Sequence, residues 1–367
     1  MVDSRITKFA KVLVNYSLRL KKGDFFIIEG SMVSEQLLKE VYKEAILVGA
    51  HPFINVNIEG ITEIMLKLGS DEQISYIDPL EKVFFQNTQA ILTVQGSSNT
   101  KNLINIDPAK LSLRSKSRNE LFMGMLHRME SKELNWCGTQ FPTHSAAMDA
   151  NMSLWEYEDF LFEACHLNSD DPVSEWKKVH DEQQRLVDIL NTKSHFEFIS
   201  KDTHLTLSVE GRNWVNCDGQ INFPDGEIFT SPVENSINGH IRFTYPAIHM
   251  ANEVEDVVLT FKNGKVVNAA AKKGEEFLKE ILATDEGASM VGEIAIGTNY
   301  NIKKFTKNIL FDEKLGGTIH LAVGASLPET GGVNQSAIHW DMICDMKVGG
   351  EIYADGELIY KDGKFVI

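Results

Sequence analysis

The chain has 367 residues, with 36 Lys plus Arg against 52 Asp plus Glu, a formal charge of -16 at pH 7. That sign is wrong for gripping phosphate backbones, so nucleic acid is excluded as an expected partner. Hydrophobic residues at 43% and charged residues at 24% fit an ordinary globular protein, and the length exceeds the about 250 to 300 residues that one core holds, so two domains are expected.

Taken in chain order, Ile6, Phe9, Ala10, Leu13 and Val14 recur at helical spacing. No signal peptide and no membrane-crossing run is read, so no membrane partner and a cytoplasmic location are expected. Lys22-Gly23-Asp24 turns into a short buried strand, Phe25-Phe26-Ile27-Ile28. Ser34 stands where it could cap a helix running to about Val48 and closed by Gly49, and residues 52–58 form the next strand. This strand–helix–strand order predicts a parallel sheet covered by helices. A strand over 90–94, a helix after Asp107-Pro108, and helical patterns over 152–167 and 171–191 extend it. Neither G-x-G-x-x-G nor a Walker motif follows any of these strands, so nucleotide binding has no support.

From about Ser194 the texture changes to short alternating segments such as HFEFIS, THLTLSV, HIRFTY and DVVLTF, punctuated by Asp225-Gly226, Asn238-Gly239, Asn263-Gly264 and Asp355-Gly356. One helix, near 274–283, interrupts them. The expected organisation is an N-terminal α/β domain over 1–193, with a largely parallel sheet, followed by a strand-rich α+β domain over 194–367. Cys137, Cys165, Cys217 and Cys344 are far apart and form no C-x-x-C pair, which argues against a disulfide scaffold or a zinc ribbon.

The second half carries ionisable groups in apolar settings: Glu227 in NFPDGEIFTSP, Glu293 in MVGEIAIG, His320 in GGTIHLAVG, and His339 with Asp341 in SAIHWDMICD. On a strand, His339 and Asp341 would share a face, with Trp340 on the other. Burying a lone carboxylate costs several kcal/mol, so each needs a counter-charge. A shared divalent cation would supply one, and mixed N/O ligands suit zinc, cobalt, manganese or magnesium. Each residue also has an ordinary reading. His320 can be a core residue with one hydrogen bond, Glu293 can face solvent, Glu227 can close a turn, and Asp341 can merely orient His339. His240 and His249 read as strand-end residues outside the chemistry. A Cys344–His339 couple would lie on opposite faces of one strand, and no G-x-S-x-G elbow is present.

At these same residues the sequence resembles the thermophilic-aminopeptidase family, dinuclear metallopeptidases of the aminopeptidase T and aminopeptidase S type. The resemblance runs through EGRNWVNCDGQINFPDGEIFTSPVENSINGHI, DEGASMVGEIAIGTN, NILFDEKLGGTIHLAVG and NQSAIHWDMI, with KFAKVLVNYSLRLKKGD and NWCGTQFPT in the first half. It implies a metal-dependent aminopeptidase, commonly a homodimer, that acts on peptides with a free N-terminus. It further implies two divalent metal ions held by Glu227, Glu293, Glu313, His320, His339 and Asp341, with Glu293 bridging. Glu293 and Glu313 are the expected catalytic carboxylates, Glu313 passing a proton to the leaving amine.

Three departures from the family pattern stand out. Gly226-Glu227 replaces a frequent pair of glutamates, six residues separate Glu313 from His320 where fewer are common, and Leu327 stands where many relatives have Tyr. Leu327 offers no hydroxyl to a tetrahedral intermediate. The alternative expectation is therefore a non-catalytic or weakly active metal- or peptide-binding homologue.

Overall fold

Seven residues, Phe25–Ser31, form strand β1, and Phe26, Ile27 and Ile28 are all buried, as expected of a strand covered on both faces. The structure is a computed structural model that describes residues 3–250 and 252–367. Strands β2 (His51–Asn57), β3 (Ala90–Gln95), β4 (Asn135–Gln140) and β8 (Asn222–Phe223) join β1 in a sheet of order β2-β1-β3-β4-β8, parallel throughout. Helices α1 (Ser4–Val12), α2 (Glu35–Leu47), α6 (Pro108–Glu130), α7 (His144–Asp149) and α8 (Leu154–Ala164) belong to the same unit. Ser34 does precede α2, but it makes no side-chain cap; its hydroxyl donates to the Ser31 carbonyl instead.

Between β2 and β3 lie three short helices that the apolar pattern did not predict: α3 (Ile61–Leu68), α4 (Asp71–Ser75) and α5 (Pro79–Asn87). Their signals are in the caps. Ser70 and Gln73 form a capping box, and Asp78 caps a helix that opens on Pro79.

The chain divides into two compact units, Met1–Glu175 with Gly219–Pro224, and Trp176–Asp218 with Asp225–Ile367. Helix α9 (Pro172–Leu190) therefore lies mostly in the second unit, because Leu186, Val187 and Leu190 share a buried cluster with Phe196 and Phe198. That unit holds β5 (His195–Ser200), β6 (Thr203–Ser208), β7 (Val215–Cys217), β9 (Glu227–Thr230), β10 (Asn238–Arg242), β11 (Ala247–His249) and β12 (Asn252–Val254). It continues with β13 (Val258–Lys262), β14 (Lys265–Ala270), α10 (Glu275–Leu282), β15 (Val291–Gly297), α11 (Ile309–Asp312), β16 (Thr318–Gly324) and β17 (His339–Asp345). Strands β18 (Glu351–Ala354), β19 (Glu357–Lys361) and β20 (Lys364–Phe365) complete it.

Its sheets are antiparallel: an eight-stranded one of order β14-β13-β10-β6-β5-β18-β19-β20, a five-stranded one of order β17-β16-β15-β9-β7, and the β11-β12 hairpin. One apolar cluster draws on both larger sheets, with Phe196, Leu205, Ile241 and Leu259 from the first and Ile228, Ile294, Leu321 and Trp340 from the second. The expected α/β first half and strand-rich second half are both present. All four cysteines are free thiols.

Candidate metal centre

Alternation along the five-stranded sheet decides which side chains meet. Ile228, Ile294, Ile296, Ile319, Leu321, Val323, Trp340, Met342 and Cys344 all enter the apolar cluster. Strand periodicity then puts Glu227, Glu293, His320, His339 and Asp341 together on the opposite face. Trp340 turns away from its two neighbours, stacking on His249 at 5.1 Å and meeting Phe277 edge-on.

The cross-strand register adds room. Glu227 lies opposite Gly297, Glu293 and Asp341 both lie opposite Ala322, His320 lies opposite Ala295, and His339 lies opposite Gly324. Small residues beside each long polar one leave volume over the sheet in which the five can converge. A bulge between Val291 and Glu293, within a strand buried at every position, explains why β15 shows no polar–apolar alternation.

Both imidazoles are oriented through the backbone. His320 Nδ1 lies 3.0 Å from the Glu313 carbonyl and His339 Nδ1 lies 2.9 Å from the Ala325 carbonyl. A carbonyl only accepts, so each Nδ1 carries the proton and each Nε2 points inward. His320 Nε2 lies 3.1 Å from Glu293 Oε1 and 3.4 Å from Glu227 Oε2. His339 Nε2 lies 3.5 Å from Glu293 Oε2 and 3.5 Å from Asp341 Oδ1.

The electrostatics are those of carboxylates gathered out of water. Burial opposes charge on His320, yet the Glu293 hydrogen bond and the surrounding carboxylates lift its pKa to about 9. His339 is likewise disfavoured by burial but pushed up to about 12 by Asp341 and Glu293. Asp341 is penalised by burial and still falls to about 2 because of the His339 charge. Glu313 rises to about 8, chiefly through burial, with the Lys314 charge pulling the other way. Burial also raises Glu227, against the opposing charges of Lys314 and His320.

Three overlapping donor groups follow, each with ligand atoms within 4.8 Å of one another: Glu227, Glu293 and His320; Glu293, His339 and Asp341; Glu313, His320 and Asp341. All six residues singled out in the sequence occur in them. The donor set fits a divalent cation on a further observation: Glu227 Oε2 and Asp341 Oδ1 are buried without a hydrogen-bond partner. Each faces an imidazole at 3.4 or 3.5 Å without a hydrogen bond to it, and a shared divalent cation would satisfy both oxygens.

Two participants escaped the sequence reading. Asp225 read as part of a turn, and Lys314 was not singled out. Asp225 instead groups with Glu227 and Cys217, and the Lys314 ammonium is fully buried beside Asp225, Glu227 and Glu313. The Pro-Asp-Gly turn hid the first, and nothing in the local pattern marks the second.

A sheet face presenting mixed carboxylate and imidazole donors toward one buried point has the chemistry of a divalent-metal site. The chain belongs to the thermophilic metalloprotease (M29) family, which it matches over residues 2–365. It is 26% identical to Aminopeptidase 2 of Geobacillus stearothermophilus over 99% of this chain and 95% of that one. It is also 26% identical to Aminopeptidase AmpS of Bacillus subtilis and 25% identical to Aminopeptidase T of Thermus thermophilus, each over 99% of this chain and 98% of the relative. The solved structure of wild-type AmpT from Thermus thermophilus shares the fold, with a TM-score of 0.87 at 22% identity over 99% of both chains.

Proposed function

We propose that the chain is a metal-dependent aminopeptidase that removes N-terminal residues from peptides bearing a free amino group, using divalent cations held at this centre. The observation that carries the reading is the convergence of Glu227 Oε2 and Asp341 Oδ1, buried without a hydrogen-bond partner, with two imidazoles whose Nδ1 protons are committed to carbonyls. Relatives over nearly the full length are named aminopeptidases. Two donor groups that share Glu293 favour two ions, with Glu293 between them, and zinc, cobalt, manganese and magnesium are the candidates. A bound divalent cation supplies Lewis acidity toward the scissile carbonyl and lowers the pKa of water.

The remaining work falls to side chains. Glu313, raised to about 8, holds a proton near neutral pH and suits transfer to the leaving amine. A carboxylate of the cluster would pair with the substrate's ammonium, which makes the free chain end the recognised feature. A homodimer goes with this reading by family resemblance, and a cytoplasmic location goes with the lack of a signal-peptide pattern in the sequence.

The test is to strip the purified protein with chelator, reload it with each of the four metals, and assay aminoacyl-anilides and dipeptides beside N-blocked counterparts. Metal-restored cleavage of unblocked substrates alone is expected. Equal cleavage of blocked peptides would exclude an aminopeptidase. A metal-loaded protein without turnover would favour the second reading, a binding homologue, for which Leu327 in place of a hydroxyl-bearing Tyr is the motivating feature.

A further inference from the structure

Lys314 has no part in the reading above, yet its side chain is 0% exposed, as fully buried as that of His320. A lysine is almost never fully buried unless its charge is paired. Its Nζ lies 3.4 Å from Glu227 Oε1 and 3.8 Å from Asp225 Oδ1, and it donates a hydrogen bond to Glu313. Three N–H donors therefore face three carboxylates.

Two further observations define what this arrangement does. Glu227 is divided: Oε1 faces the Lys314 ammonium, and Oε2 faces His320. Asp225, Glu227 and Cys217 have ligand atoms close enough together to hold an ion themselves. The two carboxylates of that group already face the ammonium. The lysine backbone is fixed as well: the Lys314 carbonyl accepts from the Asn299 N–H, and a side chain at Gly297 would press on the Leu315 carbonyl at 2.3 Å and the Lys314 carbonyl carbon at 3.1 Å. Being sealed from solvent, the ammonium cannot touch a peptide, which excludes a role as a catalytic residue.

We infer that the Lys314 ammonium is a resident cation of the centre, filling the position among Asp225, Glu227 and Glu313 and confining divalent ions to the two donor groups that share Glu293. The inference rests on the metal reading proposed above. Removing the ammonium would leave Asp225, Glu227 and Glu313 gathered around a buried position with no cation in it, a set of oxygen donors that a divalent ion could take up.

The experiment counts ions. Wild type, Lys314→Met and Asp225→Asn are loaded with manganese at pH 8 and desalted, and metal per chain is measured by plasma mass spectrometry. Lys314→Met is expected to carry one more equivalent than wild type. Asp225→Asn is expected to keep the wild-type number, because its carboxylate serves the ammonium. An unchanged count in a folded Lys314→Met, or the loss of an ion in Asp225→Asn, would overturn the inference while leaving the metal reading standing. Should Lys314→Met fail to fold, Asp225→Asn decides alone. A wild type that takes up no manganese, zinc, cobalt or magnesium removes the metal reading, and this inference with it.

Discussion

Glu293 and the two imidazoles concentrate the chemistry. Glu293 faces His320 through one carboxylate oxygen and His339 through the other, so Glu293→Gln removes the charge that both donor groups share. Its expected outcome is a loss of turnover of at least about 100-fold with metal content reduced, measured by steady-state assay beside metal analysis. The histidines make metal uptake pH-dependent. A metal ligand must be a neutral imidazole, and in the metal-free protein His320 keeps its proton up to about 9. Apparent metal affinity should therefore rise by about tenfold per pH unit below that value for each proton displaced. Calorimetry in buffers of different ionisation enthalpy would read the proton release, and a flat pH profile would contradict it. Stability of the metal-free protein has the opposite sign. The raised pKa of His320 contributes stability that is full below its ordinary 6.5 and is lost as pH climbs through about 9. Glu313, a carboxyl raised from 4.5 to about 8, is penalised over that climb as well. In chelator, the melting temperature should fall between pH 6.5 and 9.

At the scale of the element, the loop entering β9 places Asp225 and Glu227 on either side of Gly226. That glycine has φ +123°, and a Cβ there would lie 2.6 Å from Asn299 Cβ. Asn299 in turn donates from Nδ2 to the Asp225 carbonyl, so the loop cannot simply move aside. Gly226→Ala is expected to cost about 1–3 kcal/mol and to weaken metal binding, read from denaturant unfolding and metal titration. Gly211→Ala is the control. Its φ is +74° with nothing within 4 Å of an added Cβ, so it should cost about 1 kcal/mol and leave metal binding alone. The small residues opposite the donors, Gly297, Ala322, Ala295 and Gly324, belong to the same design. Their value lies in being small where a neighbouring strand brings a carboxylate or imidazole, a relation that exists only once the register is set.

For the whole molecule, every candidate ligand lies in the second compact unit. Ligand that binds only the folded state adds stability, about 2.7 kcal/mol at a concentration one hundred times Kd. Metal addition should raise the melting temperature of that unit. In amide exchange it should slow β9, β15, β16 and β17, while the parallel-sheet strands β1 to β4 change little. Uniform protection of both units would contradict a centre confined to the second.

Much was legible in the residues themselves. Hydrophobic period separated a helix-and-strand first half from a strand-rich second half, because core-facing positions must repeat at 3.6 or 2. His339 and Asp341 could be paired from two-residue spacing alone, and a carboxylate in an apolar run, as at Glu293, announces its need for a counter-charge. The caps of α4 and α5 were also written in the chain, at Ser70 with Gln73 and at Asp78, but a reading by apolar period passes over helices so short. What only the tertiary structure decided is which distant groups meet. Strand order put β9 beside β15, β15 beside β16 and β16 beside β17, so that Glu227, Glu293, His320 and Asp341 face one point although over a hundred residues separate the first from the last. It also turned Lys314 inward among three carboxylates. Sequence spacing constrains neighbours along a strand, whereas electrostatic partners are chosen by register and burial between strands.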